Sequence, residues 1–335
     1  MKCITSTIKP GMTNFLSFLL KGFALLLVFL LPLYGYSADY YWVSSATTTA
    51  NKWSNAANWR TTSGGAVAHA APPTAADNVF FDANSFTATS NTITMDVNAY
   101  CNNMDWTGVT NTPSMIGGSG FFLDIAGNLV LSSNMVQTGL PPSFVGIVNF
   151  SATSAGKTIT MANKIFADVA FKGTGGGWIV QDNLNVLGSL LLQAGTLNTN
   201  GKPVNCGFLN ANAPGDAARS LVLGSSVVTV TNSQVDLRGD TPNFVLDAGS
   251  ATMVMSYNSG NINLYAGVAA KTLPNLVFSL SVAPNSVNIH TSSNTSASSR
   301  ITFKDITTSS SGATVNINGA ALKTFGKLSF AAKSF

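Results

Sequence analysis

Apolar and polar side chains alternate with a period of two through much of the chain. Leu184, Val186, Leu190 and Leu192 alternate with Asn185, Leu187 and Leu191 about Gly188, a pattern of short strands rather than helix. The same frame occurs 61 positions earlier: LDIAGNLVL (Leu123 to Leu131) overlays LNVLGSLLL (Leu184 to Leu192), with Gly127 on Gly188. A second repeat joins Lys164 to Phe171 (KIFADVAF), Lys271 to Phe278 (KTLPNLVF) and Lys323 to Phe330 (KTFGKLSF). Each has Lys first, apolar residues third and sixth, and Phe eighth.

A repeat of some 20 residues cannot bury its own apolar face, so it must stack on copies of itself. The pattern therefore predicts an all-β chain, a right-handed parallel β-helix or β-solenoid in which each strand pairs with its equivalent one turn on. At roughly 20 to 25 residues per turn and about 4.8 Å of rise, residues 39–335 would give on the order of a dozen turns. Asn200-Gly201, Asn318-Gly319 and Gly224 supply corners that need positive φ. Phe150, Phe171, Phe278 and Phe303 are candidate core aromatics stacking between turns, as is Gly118 to Phe122 (GSGFF). Tandem antiparallel β-sandwiches are the alternative, because alternating strands with frequent turns fit both architectures.

Three further features sharpen this picture. Only 9% of residues are charged and none is glutamate, so the acids are aspartates suited to corners rather than helices. The first 38 residues differ in kind: Lys2, Lys9 and Lys21 lead into the apolar run Phe23 to Leu33, followed by small residues. This reads as a secretory signal peptide cleaved near Ser37 or Ala38, which places the protein in the secreted or outer-surface compartment. The apolar run is too short to span a bilayer, and Lys21 and Gly22 interrupt the longer stretch Phe15 to Leu33. No stable membrane span is expected after cleavage. The three leader lysines account for most of the formal charge of +4, so the rest has no basic stripe and no nucleic-acid partner is expected. Residues 39–96 form an aromatic N-terminal cap region, and residues 97–335 the solenoid repeats.

The opening motifs are distinctive together: YYWV at Tyr40 to Val43, two tryptophans in NKWSNAANW (Asn51 to Trp59), DNVFFD at Asp77 to Asp82 and AYCNNMDWTG at Ala99 to Gly108. With the units GTGGGWIVQDNLNVLGSLLLQAGTLNTNGKPV (Gly173 to Val204) and RSLVLGSSVVTV (Arg219 to Val230), the chain resembles the repetitive surface proteins exported by Gram-negative bacteria with type IX secretion. The resemblance implies β-helical, adhesin-like stalks, usually followed by immunoglobulin-like modules and a C-terminal sorting domain. Neither follows here. The third KTF-type copy is succeeded only by Ala331 to Phe335, so an N-terminal fragment truncated within a repeat is expected. Its exposed last turn would favour self-association.

Candidate chemistry is sparse. His69 and His290 lack partners at metal-binding spacing, and no cofactor or metal is expected. Asp77, Asp82 and Asn84 could offer oxygens to calcium, but they alternate with Val79, Phe80 and Phe81 as a strand with a polar edge would. The GTGGG run at Gly173 to Gly177 opens a strand at Trp178, not a helix, which excludes a phosphate cradle. Asp236, Arg238 and Asp240 are the best candidates for polysaccharide lyase or hydrolase chemistry, but a corner at which Arg238 pairs with a neighbouring aspartate is the preferred reading. Arg238-Gly239-Asp240 also spells an adhesion tripeptide of little weight. Trp53 and Trp59, with Trp42 and Trp106, are candidate sugar-stacking residues, or else plugs for the end of the core. Cys101 and Cys206 either form one disulfide or are buried thiols. The leading expectation is a non-enzymatic surface scaffold or adhesin-like stalk with glycans or cell surfaces as partners. The alternatives are a tryptophan-based carbohydrate-binding module and a β-helical polysaccharide enzyme.

Overall fold

A computed structural model of the chain describes residues 37–137, 143–212, 217–238, 243–257, 260–267, 270–279, 286–291, 300–308, 314–321 and 323–330. The leader, Gly239, Asp240 and the final five residues lie outside them. Helix among the described residues is confined to two single 3-10 turns, Thr48–Ala50 and Ala56–Asn58. None is long and apolar enough to cross a membrane.

The period-two segments resolve into three faces. One turn runs Leu184–Val186, Ser189–Leu192, Gly195–Asn198. Each strand pairs in parallel with its successor: Leu184 beside Val204, Leu190 beside Leu209, Leu197 beside Leu221. The first sheet has ten strands, from Trp59–Arg60 to Phe244–Asp247; the second has ten, from Ala99–Cys101 to Thr314–Asn318; the third has eight, from Ile165–Phe166 to Leu328–Phe330. A two-stranded sheet, Thr92–Met95 with Ser114–Gly117, precedes the third sheet in chain order. A three-stranded sheet, Lys271–Thr272, Ile301–Phe303 and Lys323–Phe325, follows the first. The strands stack as a β-solenoid of about nine turns. Among the described strands only Asp39–Trp42 and Trp59–Arg60 pair antiparallel, so the tandem-sandwich alternative is set aside.

The core is a set of apolar columns. Leu123, Val148, Val169, Leu190, Leu209, Val235, Leu264 and Ile289 occupy successive turns of the second sheet at one inward position, all buried. Two positions on, Ile125, Phe150, Phe171 and Leu192 form a parallel column. There the Phe150 and Phe171 rings stack at 5.0 Å and 12°. Each such side chain contributes roughly 1.5–3 kcal/mol by leaving water. That gain, repeated turn upon turn, offsets the entropy of ordering a chain with so few charges.

Turn length varies widely. Equivalent positions are 19 residues apart from Leu190 to Leu209 and 29 apart from Val235 to Leu264. Long turns and the N-terminal cap bring the count to about nine turns rather than a dozen. The corners behave as expected: Asn200 and Gly201 have φ of 53° and 70°. Gly173 answers a different demand, since a Cβ there would lie 1.8 Å from the Ala152 carbonyl oxygen of the turn below. The GTGGG run is thus a place where two loops touch backbone to backbone.

Both sequence repeats are real strand–corner–strand units; Lys271 to Phe278 and Lys323 to Phe330 lie in register two turns apart on the same faces, but the 61-residue pair and the copy at Lys164 to Phe171 do not mark equivalent faces. Leu123 lies on the second sheet and Leu129 on the first, whereas Leu184 lies on the third and Leu190 on the second. Phe171 likewise ends a strand of the second sheet, and Phe278 one of the third. Any two successive faces joined by a tight corner produce the same alternation, so the 61-residue overlay is shifted by one face.

The N-terminal end is closed by aromatic rings. Trp59 packs edge-on against Trp42 at 5.0 Å and Trp53 at 4.8 Å, and Phe81 stacks on Trp106 at 3.7 Å. Trp59 Nε1 donates to the Trp53 carbonyl at 2.9 Å. All five tryptophans of the chain are buried, Trp53 and Trp59 to 1% and 0% exposure. With the rings this deeply buried, no indole face of Trp53, Trp59, Trp42 or Trp106 is open to a pyranose ring. They plug the core instead. The cap is continuous with the stack, because Asp39–Trp42 pairs in parallel with Asn78–Phe80 in the first sheet.

Candidate functional site

Among the described residues, the outward side of the second sheet carries a contiguous group of ionisable and aromatic side chains. In the strand Gln234–Asp236, Val235 points into the core, so alternation turns Asp236 outward. Its neighbours on that column are Asn210 one turn earlier and Tyr265 one turn later, with His290 beyond. Arg238 Nε lies 3.0 Å from Asp236 Oδ1 and Nη2 lies 2.7 Å from Oδ2, a two-pronged ion pair. The Arg238 backbone N–H also donates to Oδ1, and Asn212 Nδ2 to Oδ2. The Arg238 guanidinium sits 4.6 Å above the Tyr265 ring, and Tyr265 stacks on His290 at 4.6 Å and 14°. His290 Nε2 is 3.4 Å from Asn263 Oδ1. Asn263, Asn288 and Asn316 form an amide ladder alongside.

This arrangement is an ordered stack of flat groups, and the carboxylate within it is committed. Asp236 is only 2% exposed, and both its oxygens accept hydrogen bonds from Arg238. Carboxylate-pair hydrolysis needs two acids about 5 to 9.5 Å apart. The other buried acid on this outward column, Asp124, stands five turns away through Asn149, Ala170, Leu191 and Asn210. Five turns amount to roughly 24 Å, too far for cooperation. Asp124 is itself paired with Lys172 at 2.6 Å and with the Ser151 hydroxyl. Asp240, the other acid of the sequence-based trio, lies outside the described residues.

The remaining candidates have structural partners. Asp77 accepts from the Ala38 and Thr74 backbone N–H groups at 3.0 and 2.9 Å and from the Thr74 hydroxyl at 2.6 Å. Asp82 accepts from the Asn84 backbone N–H at 2.8 Å. These are turn contacts, and among the described residues no three His, Cys, Asp or Glu side chains converge as a metal site would require. His69 stacks on Tyr40 at 3.6 Å, and its Nε2 lies 3.1 Å from the Asp39 carbonyl.

Cys101 and Cys206 are both free and buried, which resolves the disulfide alternative in favour of separate thiols. Burial pushes the Cys101 thiol far above its ordinary value, with Asp124 adding to the shift, and pushes Cys206 up to about 12. At neutral pH neither thiol supplies the reactive thiolate. Both are expected to resist a thiol reagent in the native protein and to react fully in denaturant. Rapid native labelling would contradict the burial. The linkage sign follows: the unfolded thiols ionise near 9.0 while the folded ones hold their protons. Their contribution is complete below pH 9 and is lost as pH rises toward 12.

Concavities are slight. A small, partly open cavity of about 20 Å³ is lined mainly by Met115, Leu131, Met135, Phe144 and Phe166, with Gln137 and Lys164 also at its wall, and has room for about one water. An open trough of about 390 Å³ crosses successive turns past Gly176, Gly195, Thr196, Ser220 and Asn243. Gly195 there faces the carbonyls of Gly173 and Gly176, so its missing Cβ serves loop stacking. Compared with known proteins, the chain matches no family model, no curated protein and no solved structure.

Proposed function

We propose that this chain is a non-enzymatic scaffold, an exported cell-surface stalk of adhesin-like type. The observation carrying this reading is the division of labour between inside and outside. Apolar columns run through successive turns without a polar interruption at the inward position of the second sheet. The two buried acids on the outward side of the second sheet, Asp124 and Asp236, are each paired with a local cation, Lys172 and Arg238. Such a stack sets a length and presents repeated short side chains, which is what a spacer between a cell and its surroundings must do. The surface location and the type IX export route rest on the leader pattern and on the resemblance of the opening motifs. The carbohydrate-module alternative would have to work without the buried tryptophans, and the hydrolase alternative would need Asp236 released from Arg238.

The test has two arms. Cells producing the tagged full chain are treated with protease while intact, and the purified protein is incubated with a panel of polysaccharides. The proposal expects removal of the tag from intact cells and no release of reducing ends or unsaturated sugars. Protection of the tag from protease would defeat the surface location; sugar release abolished by Asp236→Asn would defeat the non-enzymatic reading.

A further inference from the structure

Contact with the stack changes sharply between Ser37 and Ala38. Ser37 is exposed, and its hydroxyl accepts one hydrogen bond, from Asn78 Nδ2 at 3.2 Å. Ala38 is held on three sides. Its methyl group packs against the core, its carbonyl accepts from the Asn78 backbone N–H at 2.9 Å, and its own N–H donates to Asp77 Oδ1 at 3.0 Å. The other Asp77 oxygen accepts from the Thr74 backbone N–H and hydroxyl. Among the described residues three aspartates are buried: Asp124 is paired with Lys172 and Asp236 with Arg238, but Asp77, 6% exposed, has no cation. A carboxylate so far from water is ordinarily matched by a positive charge.

We infer that the missing cation is the α-ammonium group of Ala38, created when the leader is cut off between Ser37 and Ala38. This rests on the export reading above and fixes the bond which that reading left open. Hydrolysis consumes one water: the C–N bond breaks, the water oxygen stays on Ser37 as part of a carboxylate, and both its protons end on the Ala38 nitrogen. The new charge then arises 3.0 Å from Asp77 Oδ1. The sequence agrees independently. Leader removal requires small residues one and three places before the cut, and Ser37 and Gly35 meet both demands. A cut one residue later would set Tyr36 at the third place and remove Ala38 with all its contacts. Asp77 directly precedes Asn78–Phe80, which pairs in parallel with Asp39–Trp42. The ion pair therefore locks the first two parallel strands of the cap together, and only the processed chain possesses it.

Intact mass and N-terminal sequencing of the protein recovered from producing cells test the cut. Ala38 is expected as the first residue. A chain that keeps its leader would overturn the export reading and the inference together, whereas a cleaved chain with any other first residue would overturn the inference alone. The ion pair is tested by urea unfolding of the chain beginning at Ala38, with its α-amino group free or acetylated. The free form is expected to have a folding equilibrium constant about five- to tenfold higher, because a hydrogen bond between charged groups outweighs one from an amide. Asp77→Asn should abolish that difference. If this variant fails to fold, the two forms of the unsubstituted chain still decide. Equal stability of the free and acetylated forms, or a difference that survives Asp77→Asn, would overturn the pairing.

Discussion

Leu190→Asp is expected to cost at least about 4 kcal/mol, while Leu191→Asp, one residue away, costs less than about 1 kcal/mol. Leu190 is 1% exposed and sits between Val169 and Leu209 in the inward column. Replacing it forfeits roughly 2–3 kcal/mol of apolar burial and leaves a carboxyl group in a dry column. Leu191 faces outward beside Ala170 and Asn210, where water can solvate the new charge. Since a domain is held by only about 5–15 kcal/mol, the first variant should be largely destabilised. Burial raises the pKa of the new carboxyl, so it contributes less destabilisation when protonated. Part of the loss should therefore return as pH falls from 7 toward 5. Thermal unfolding of the two variants at both pH values measures this; equal losses would mean that the strand is not one-sided.

Trp59→Ala should remove about 3–5 kcal/mol, and the loss should be local. Trp59 is fully buried, touches Tyr40, Trp42, Trp53 and Phe81, and donates the hydrogen bond to the Trp53 carbonyl. Truncation leaves a cavity and an unpaired acceptor, the latter worth about 1 kcal/mol or more. In a stack whose turns touch only their neighbours, opening one end does not propagate far. Hydrogen exchange should quicken in Asp39–Trp42 and Asn78–Phe80 and stay unchanged in Ser189–Leu192. Uniform acceleration through the stack would show that the cap and the repeats unfold as one unit.

What the sequence made legible was local. The alternation about Leu184 to Leu192 fixes strands one residue wide in their sidedness, and Asn200-Gly201 marks a corner because few other pairs tolerate two positive φ values. The face each strand joins was not legible. Leu123 and Leu184 look equivalent because a strand followed by a corner has the same signature on every face. True equivalence depends on how many residues the loops absorb. Tryptophan was ambiguous for a related reason: a large amphipathic ring suits both a sugar platform and a core plug, and only the neighbours of Trp53 and Trp59 separate the two. For Asp236 and Arg238, spacing alone allowed an ion pair or a catalytic acid. In the fold the carboxylate is buried and ion-paired with the guanidinium.

A molecular ruler built from the third sheet addresses the stacked architecture most directly. Ile165, Asn185, Asn205, Thr229, Val254, Val277 and Thr307 occupy one outward column on successive turns. In a chain carrying Cys3→Ser, with Ile165→Cys as a fixed label and the second label placed by Thr229→Cys, Val254→Cys, Val277→Cys or Thr307→Cys, the buried Cys101 and Cys206 give no background. Pulsed dipolar spectroscopy should return backbone separations near 14, 19, 24 and 29 Å, about 4.8 Å per turn, before allowance for the label arms. Separations that fail to lengthen in step with the number of turns would contradict the solenoid.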